Sequence, residues 1–210
     1  MNRKPPCLPE NGALSAGAPP EPPNAAEMRE PPAPAPQASA SEAQGALLYH
    51  PFPPIYDARS RVLILGSFPS VRSREAAFFY AHPQNRFWPV LAAVLGEETP
   101  KTVAEKTALL LRRRIALWDV AACCTITGSA DASMRQVRAN DLSPILCGAD
   151  IRAIFCNGGT AYRLYRRLCL PHTGREAALL PSTSPANARC SLPQLVTLWA
   201  GALTPVLSGA

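Results

Sequence analysis

The segment AHPQNRFW, residues 81–88, holds a histidine, a proline, two amides, an arginine and two aromatic rings in consecutive positions. An amide such as Asn85 can orient a water molecule or read the polar edge of a nucleobase, and aromatic rings can stack on a base. The alternative is that Asn85 is a helix N-cap, because a helical apolar pattern begins directly after it. The local sequence leaves both roles open.

The sequence lacks the patterns of a serine hydrolase and of a nucleotide-binding loop. The turn GSFPS at 66–70 does not match the G-x-S-x-G pattern of a serine nucleophile. His50 lies in an extended lead-in and His172 in a proline-bounded loop, so a catalytic triad is not expected. No G-x-x-x-x-G-K-S/T segment and no G-x-G-x-x-G after a strand is present, which argues against a nucleotide-binding loop.

Four apolar runs predict the strands that must position these residues. They alternate with helical patterns, which predicts a three-layer α/β/α domain with a central four-stranded parallel sheet. The predicted strands are 61–66, 115–120, 151–159 and the start of 177–189. The predicted helices include 85–96, 102–114 and 192–203. The stretch 121–141 is predicted to be loop-like.

Unusual residues gather where ligands of open α/β sheets bind, beyond the carboxyl ends of the strands. GSFPS follows the first strand, NGG the third and PSTSPANA the fourth. Hydroxyls and backbone amides in such loops can hold phosphates, while prolines keep the loops rigid. Residues 46–210 also carry 18 Lys and Arg against 10 Asp and Glu, a formal charge of +8. This charge favours an anionic partner such as nucleic acid.

The chain divides by composition into two parts. Eleven of the 24 prolines lie before residue 46. Residues 1–45 have almost no branched or aromatic apolar side chains, and we predict a disordered Pro/Ala-rich tail there. Residues 46–210 are predicted to form the folded domain.

Neither a signal peptide nor a membrane span is expected. The basic start MNRK leads into prolines without an apolar core, and no apolar run approaches the roughly 20 residues of a span. We therefore expect an intracellular, cytoplasmic protein, associated with the nucleoid if the source is bacterial. The seven cysteines contain no C-x-x-C pattern, so no metal or other cofactor is expected.

Several long motifs, in the same order, resemble those of the uracil-DNA glycosylase superfamily. They are LILGSFPSVRSREAAFFYAHPQNRFWPVLA, LWDV, FCNGGTAYRLYRRL and LPSTSPANAR. The hypoxanthine-DNA, or DNA-deoxyinosine, glycosylase branch is the most similar, over nearly all of residues 47–204. The resemblance implies a monofunctional glycosylase that flips a deaminated base out of double-stranded DNA and hydrolyses its N-glycosidic bond. We expect it to act as a monomer.

Two departures from the superfamily accompany this resemblance. Uracil enzymes place an Asp or Asn shortly after the glycine of the first strand, where this chain has Ser67, Phe68 and Pro69. Many relatives also carry a histidine at the start of the last motif, which here reads STSPANA. The branch it resembles is expected to use the Asn of its HPxNRFW motif, which is Asn85.

The resemblance implies three groups of site residues. The catalytic residue is Asn85, which positions water or stabilises the departing base. The base pocket comprises Gly66, Ser67, Phe68 and Asn157. The DNA contacts are Ser70, Ser182, Thr183, Ser184, Pro185, Asn187 and Arg189. Core packing for Phe68 and capping of the Gly-Gly turn for Asn157 stay open as alternatives.

Other residues near these motifs are given structural roles. We expect Arg86 to pack the helix, with phosphate contact as an alternative, and His82 to be structural rather than catalytic. Loop capping is the expected role of Asp119 and Asp131. No lysine stands in the motifs, so a Schiff-base lyase activity is not expected.

Two further functions stay open from the sequence. One is a glycosylase whose main substrate is mismatched uracil, against which the missing Asp or Asn in GSFPS argues. The other is a non-catalytic binder of damaged or single-stranded DNA that keeps the fold but releases no base.

Overall fold

The computed structural model describes residues 46–126 and 134–208, and the predicted tail lies outside this range. The strands are β1 Leu47–Tyr49, β2 Val62–Gly66, β3 Ile115–Asp119, β4 Ala121–Thr125, β5 Arg135–Ala139, β6 Ala153–Asn157 and β7 Ala177–Leu180. The helices are α1 Val71–Glu75, α2 Phe87–Leu95, α3 Val103–Arg112, α4 Ser143–Gly148, α5 Gly159–Leu168, α6 Leu170–Thr173 and α7 Leu192–Ser208.

The central sheet has the strand order β3-β2-β6-β7, and each neighbouring pair is parallel. The predicted four-stranded parallel sheet is therefore confirmed, and each strand lies within its predicted segment. Strand β2 is buried along its whole length, which explains why its sequence is a continuous apolar run rather than an alternating one.

The two faces of the sheet support separate cores. Val62 and Ile64 of β2 pack on one face with the apolar sides of α2 and α7, including Trp199. Leu63 and Leu65 point to the opposite face, where they pack with α4, α5 and the start of β4. Helices on both faces of the sheet give the three layers that the sequence predicts.

A second, antiparallel sheet of order β1-β4-β5 replaces part of the predicted loop at 121–141. The pairing of β4 with β5 shifts register between Ala121 and Cys123 and again between Cys123 and Thr125. Such irregularities break the two-residue alternation by which a strand is recognised. The prediction of a loop was wrong here for that reason, and residues 127–133 lie outside the described range.

The last helix is longer than predicted. Helix α7 continues beyond residue 203 to Ser208 and contains Pro205 in its interior. None of the helices in the described part of the chain has the length and apolar character needed to cross a membrane.

Candidate active site

A cleft of about 1000 Å³ lies at the carboxyl edge of the parallel sheet. Gly66 at the end of β2 pairs in register with Asp119 at the end of β3, and Asn157 at the end of β6 pairs with Leu180 of β7. All four residues line the cleft. Its volume is at the upper end of the range for small-molecule sites.

Every residue that the sequence predicts for the site lines this cleft. They are Gly66, Ser67, Phe68, Ser70, Asn85, Asn157, Ser182, Thr183, Ser184, Pro185, Asn187 and Arg189. Their individual roles stay predictions. His82, Tyr80 and Asp119 also line the cleft, although no role in the site was predicted for them from the sequence.

Asp119 and His50 form a buried pair beside the predicted base pocket. His50 Nε2 lies 2.9 Å from Asp119 Oδ2, and both side chains are at most 5% exposed. Among the described residues, Asp119 makes no other side-chain hydrogen bond, so Oδ1 is left as an acceptor at the cleft. The expected role of Asp119 as a loop cap therefore omits its place in the cleft.

Gly66 makes room for this carboxylate. A Cβ atom at Gly66 would stand 2.1 Å from Asp119 Oδ1 and 2.8 Å from the Tyr80 hydroxyl oxygen. Asp119 ends a buried apolar strand at the same edge of the sheet as Asn157. This position at a strand end was the signal in the sequence that could have identified Asp119 as a site residue. Its pairing with His50, a residue 69 positions away, carries no such signal.

Asn85 is held just before α2 with its amide in a defined direction. The backbone N–H of Phe87 donates to Asn85 Oδ1 (3.0 Å), and the Thr183 hydroxyl donates to the same oxygen (3.1 Å). No acceptor among the described residues bonds Asn85 Nδ2. The N-cap of α2 is Arg86, so the interpretation of Asn85 as the N-cap was wrong by one residue. The Asn85 oxygen still binds the N–H of the first helical residue, and its NH₂ group has no partner among the described residues.

Thr183 and Asn157 form the next part of this hydrogen-bond chain. Asn157 Nδ2 donates to Thr183 Oγ1 (2.9 Å), and the Thr183 backbone N–H donates to Asn157 Oδ1 (3.0 Å). Thr183 is completely buried. Its hydroxyl is bonded to Asn85 and Asn157, and the DNA contact expected of it stays a prediction.

Arg86 fixes the loop that follows β7. Its guanidinium donates to the backbone carbonyls of Ser184 (2.9 Å), Asn187 (2.8 Å) and Cys190 (2.5 Å). Its backbone N–H donates to the Thr183 carbonyl (3.0 Å). These bonds occupy the group that the phosphate-contact alternative would need, so Arg86 organises the loop.

Further turns shape this loop from within. Asn187 Nδ2 donates to the Ser182 carbonyl (2.8 Å), and the Ser184 backbone N–H donates to Ser182 Oγ (3.2 Å). Pro185 stands exposed at the tip, and the exposed Arg189 guanidinium has no protein partner among the described residues. The loop thus presents a rigid apolar tip and an unpaired cation.

The remaining cleft residues are also held in place. Phe68 is 6% exposed and has the Arg74 guanidinium 5.8 Å from its ring centre. Ser70 caps α1 by accepting from the Ser73 backbone N–H (3.2 Å). The Gln84 backbone N–H donates to His82 Nδ1 (3.2 Å), so a neutral His82 carries its proton on Nε2.

The chain matches a family model for the uracil DNA glycosylase superfamily over residues 53–196. It is 34% identical over 141 residues to a protein of Methanosarcina acetivorans named hypoxanthine DNA glycosylase, covering 67% of this chain and 89% of that protein. It is 32% identical over 153 residues to a protein of the same name from Methanosarcina barkeri, and the match covers 72% of this chain and 95% of that protein.

A solved structure has the same fold. It is a solution NMR structure of a Methanosarcina acetivorans protein assigned to the uracil DNA glycosylases. The TM-score is 0.66 at 31% sequence identity, and the match covers 77% of this chain and 99% of that protein.

Proposed function

We propose, from the premise that this chain belongs to the uracil DNA glycosylase superfamily, that it removes hypoxanthine from double-stranded DNA and leaves an abasic site. The observation that carries this proposal is the direction of the Asn85 amide. Its oxygen is occupied by Phe87 and Thr183, so the NH₂ group is the part that can meet a substrate. The names of both Methanosarcina relatives support hypoxanthine as the base.

The reaction needs a hydrogen-bond donor more than a strong base. Cleavage of the bond between C1′ and the base nitrogen leaves the electron pair on the base and a cationic, oxocarbenium-like sugar. Asn85 Nδ2–H would donate to the departing base or hold the attacking water by its oxygen. One water then supplies a hydroxyl to C1′ and a proton to the base. A donor placed before the reaction stabilises the developing charge without reorganisation.

The Asp119 carboxylate supports a deaminated base as the substrate class. Hypoxanthine, uracil and xanthine carry a ring N–H beside a carbonyl, whereas adenine and cytosine carry a ring nitrogen lone pair there. His50 holds Oδ2 of the Asp119 carboxylate, and the other oxygen, Oδ1, can accept such an N–H. A flipped base would therefore meet an acceptor at Asp119 and a donor at Asn85.

The rest of the cleft suits a duplex with one extruded nucleotide. Phe68 would face the flipped base, and Pro185 at the loop tip would enter the space that the base leaves. Arg189 would contact a backbone phosphate. No lysine lines the cleft in the described residues, and this favours hydrolysis without a Schiff-base lyase step.

A second candidate substrate is uracil in a mismatch. The solved structure of similar fold is assigned to the uracil DNA glycosylases, and uracil shares the ring N–H that Asp119 would read. The two substrates differ in ring size and shape, and the cleft is large enough for the purine.

The test is single-turnover base release from four labelled duplexes that differ in one base: hypoxanthine, uracil, xanthine or adenine. The proposal predicts release of hypoxanthine at the highest rate and no release of adenine. Uracil released alone would establish the second candidate instead. Tight duplex binding without release from any substrate would show a non-catalytic DNA-binding protein and refute the proposal.

A further inference from the structure

We infer that Thr183 is a positioning residue that sets which end of the Asn85 amide faces the substrate. This inference rests on the proposed function, because it concerns how the same site is oriented. Thr183 follows β7, 98 residues after Asn85 in the chain, and its buried hydroxyl joins the two segments. Thr183 would act through Asn85 without touching the base.

The direction of each hydrogen bond follows from backbone groups that can only donate. The Phe87 N–H requires an acceptor, so the atom of Asn85 beside it is Oδ1. The Thr183 N–H likewise fixes Oδ1 of Asn157, and Nδ2 of that amide therefore donates to Thr183 Oγ1. With its oxygen already accepting, the Thr183 hydroxyl turns its proton to Asn85 Oδ1.

This chain saturates the Asn85 oxygen and leaves its NH₂ group for the cleft. A carbonyl oxygen has two lone pairs, and Phe87 and Thr183 use both. Without the hydroxyl, Asn85 would keep one of these bonds, and rotation of the amide would cost less. The Asn85 oxygen could then face the departing base. The amide oxygen and the electron pair on the base are both hydrogen-bond acceptors and would repel each other.

The local geometry allows the hydroxyl to be removed alone. The Thr183 carbonyl accepts from the Arg86 backbone N–H (3.0 Å), and the Thr183 N–H is held by Asn157. Neither bond involves the side chain of Thr183. A valine has nearly the same volume as threonine, so Thr183→Val keeps the packing and the backbone bonds. It removes both hydrogen bonds of the hydroxyl, the one to Asn85 and the one from Asn157.

The experiment compares Thr183→Val with Thr183→Ser, and uses Thr197→Val as the matched control. Thr197 is exposed on α7, where its hydroxyl bonds the Pro193 carbonyl. We measure the single-turnover rate of hypoxanthine release, the duplex dissociation constant and the NMR order parameter of the Asn85 side-chain amide. The order parameter reports the mobility of the amide without reference to activity.

We expect Thr183→Val to slow base release by about 10- to 100-fold, because a misplaced catalytic group costs that much without loss of binding. Its duplex affinity should stay within about threefold of wild type, because Thr183 makes no contact with the DNA in this proposal and the contacts that bind the ground state are kept. The Asn85 order parameter should fall in Thr183→Val. Thr183→Ser should restore both the rate and the order parameter, and Thr197→Val should change neither.

Three results would overturn the inference: wild-type release by Thr183→Val, failure of Thr183→Ser to restore the rate, or an unchanged Asn85 order parameter. If valine prevents folding, Asn157→Asp replaces it, because an aspartate cannot donate to Thr183 and draws the hydroxyl proton away from Asn85. The Asn85 order parameter should fall there too, and this readout decides the outcome, because Asn157 itself lines the cleft and its substitution can change the rate directly. If wild type releases no base, the proposed function fails, while the order parameters still decide whether Thr183 holds Asn85.

Discussion

We propose that Asp119 selects the bases that the site accepts. Its Oδ2 accepts from His50, and Oδ1 lies in the space that the missing side chain of Gly66 leaves free. A carboxylate can only accept hydrogen bonds, so it favours a ring N–H and opposes a ring lone pair. Selection against adenine thus follows from a single acceptor held by a buried histidine.

Asp119→Asn should change this selection. The new amide would keep its oxygen toward His50 and turn its NH₂ group to the cleft, so a donor would meet the N–H of hypoxanthine. We expect hypoxanthine release to fall roughly 10- to 100-fold, the value of one charge-assisted hydrogen bond. The release rates of hypoxanthine and adenine are compared by single turnover.

Asp150→Asn is the matched control, because Asp150 is an exposed surface residue paired with Arg152. It should leave both rates unchanged. A full hypoxanthine rate in Asp119→Asn would contradict the base-reading role.

At the scale of elements, the start of α2 and the loop after β7 form one unit. Arg86 bonds three carbonyls of the loop, and Asn85 bonds Thr183 within it. The compact motif at 81–88 is therefore explained by two tasks: Asn85 faces the cleft, and Arg86 holds the loop that would enter the DNA.

Arg86→Lys should loosen this loop while the sheet stays intact. A lysine ammonium is a point donor and cannot span three carbonyls as the planar guanidinium does. We expect faster hydrogen exchange of the amides at 184–190. We also expect roughly tenfold weaker duplex binding, which corresponds to the loss of about one or two hydrogen bonds. Arg167→Lys on the exposed side of α5 is the control and should match wild type. Unchanged hydrogen exchange at 184–190 would contradict the role of Arg86 in holding this loop.

The sequence predicted the elements whose patterns are local. The four parallel strands are short apolar runs, of which β2 is buried along its whole length, and their alternation with helices predicted the layers. Pairing that depends on irregular register, as between β4 and β5, has no regular pattern in the sequence. The site edge was predictable because parallel strands end together, whereas contacts such as His50 with Asp119 depend on tertiary structure.

At the scale of the whole molecule, residues 46–210 carry a net positive charge, which favours binding to DNA. The chain has a net charge of +6, and residues 1–45 contribute 3 basic and 5 acidic residues, so their removal leaves +8. The family match lies within 53–196, and the cleft lining begins at Gly66. The proposed chemistry thus rests on residues of the described part of the chain.

Deleting residues 1–45 should leave base release unchanged. The unfolding midpoint should stay within about 2 °C of the full chain, the shift expected from less than 1 kcal/mol. Removal of a net negative segment should also strengthen duplex binding slightly at low salt. Calorimetry and single-turnover release check this prediction, and a large drop in either would show that the tail belongs to the functional unit.

The most direct test of the central claim, that Asn85 acts as a hydrogen-bond donor in base removal, compares Asn85→Ala and Asn85→Asp with wild type. Hypoxanthine release is measured by single turnover and duplex affinity by titration. We predict that both variants lose about 100- to 1000-fold in rate, as for loss of a preorganised donor, and retain duplex binding. Release by Asn85→Asp at or above the wild-type rate would show that an acceptor or base is needed. Equal loss of binding and release in Asn85→Ala would remove Asn85 from the chemistry.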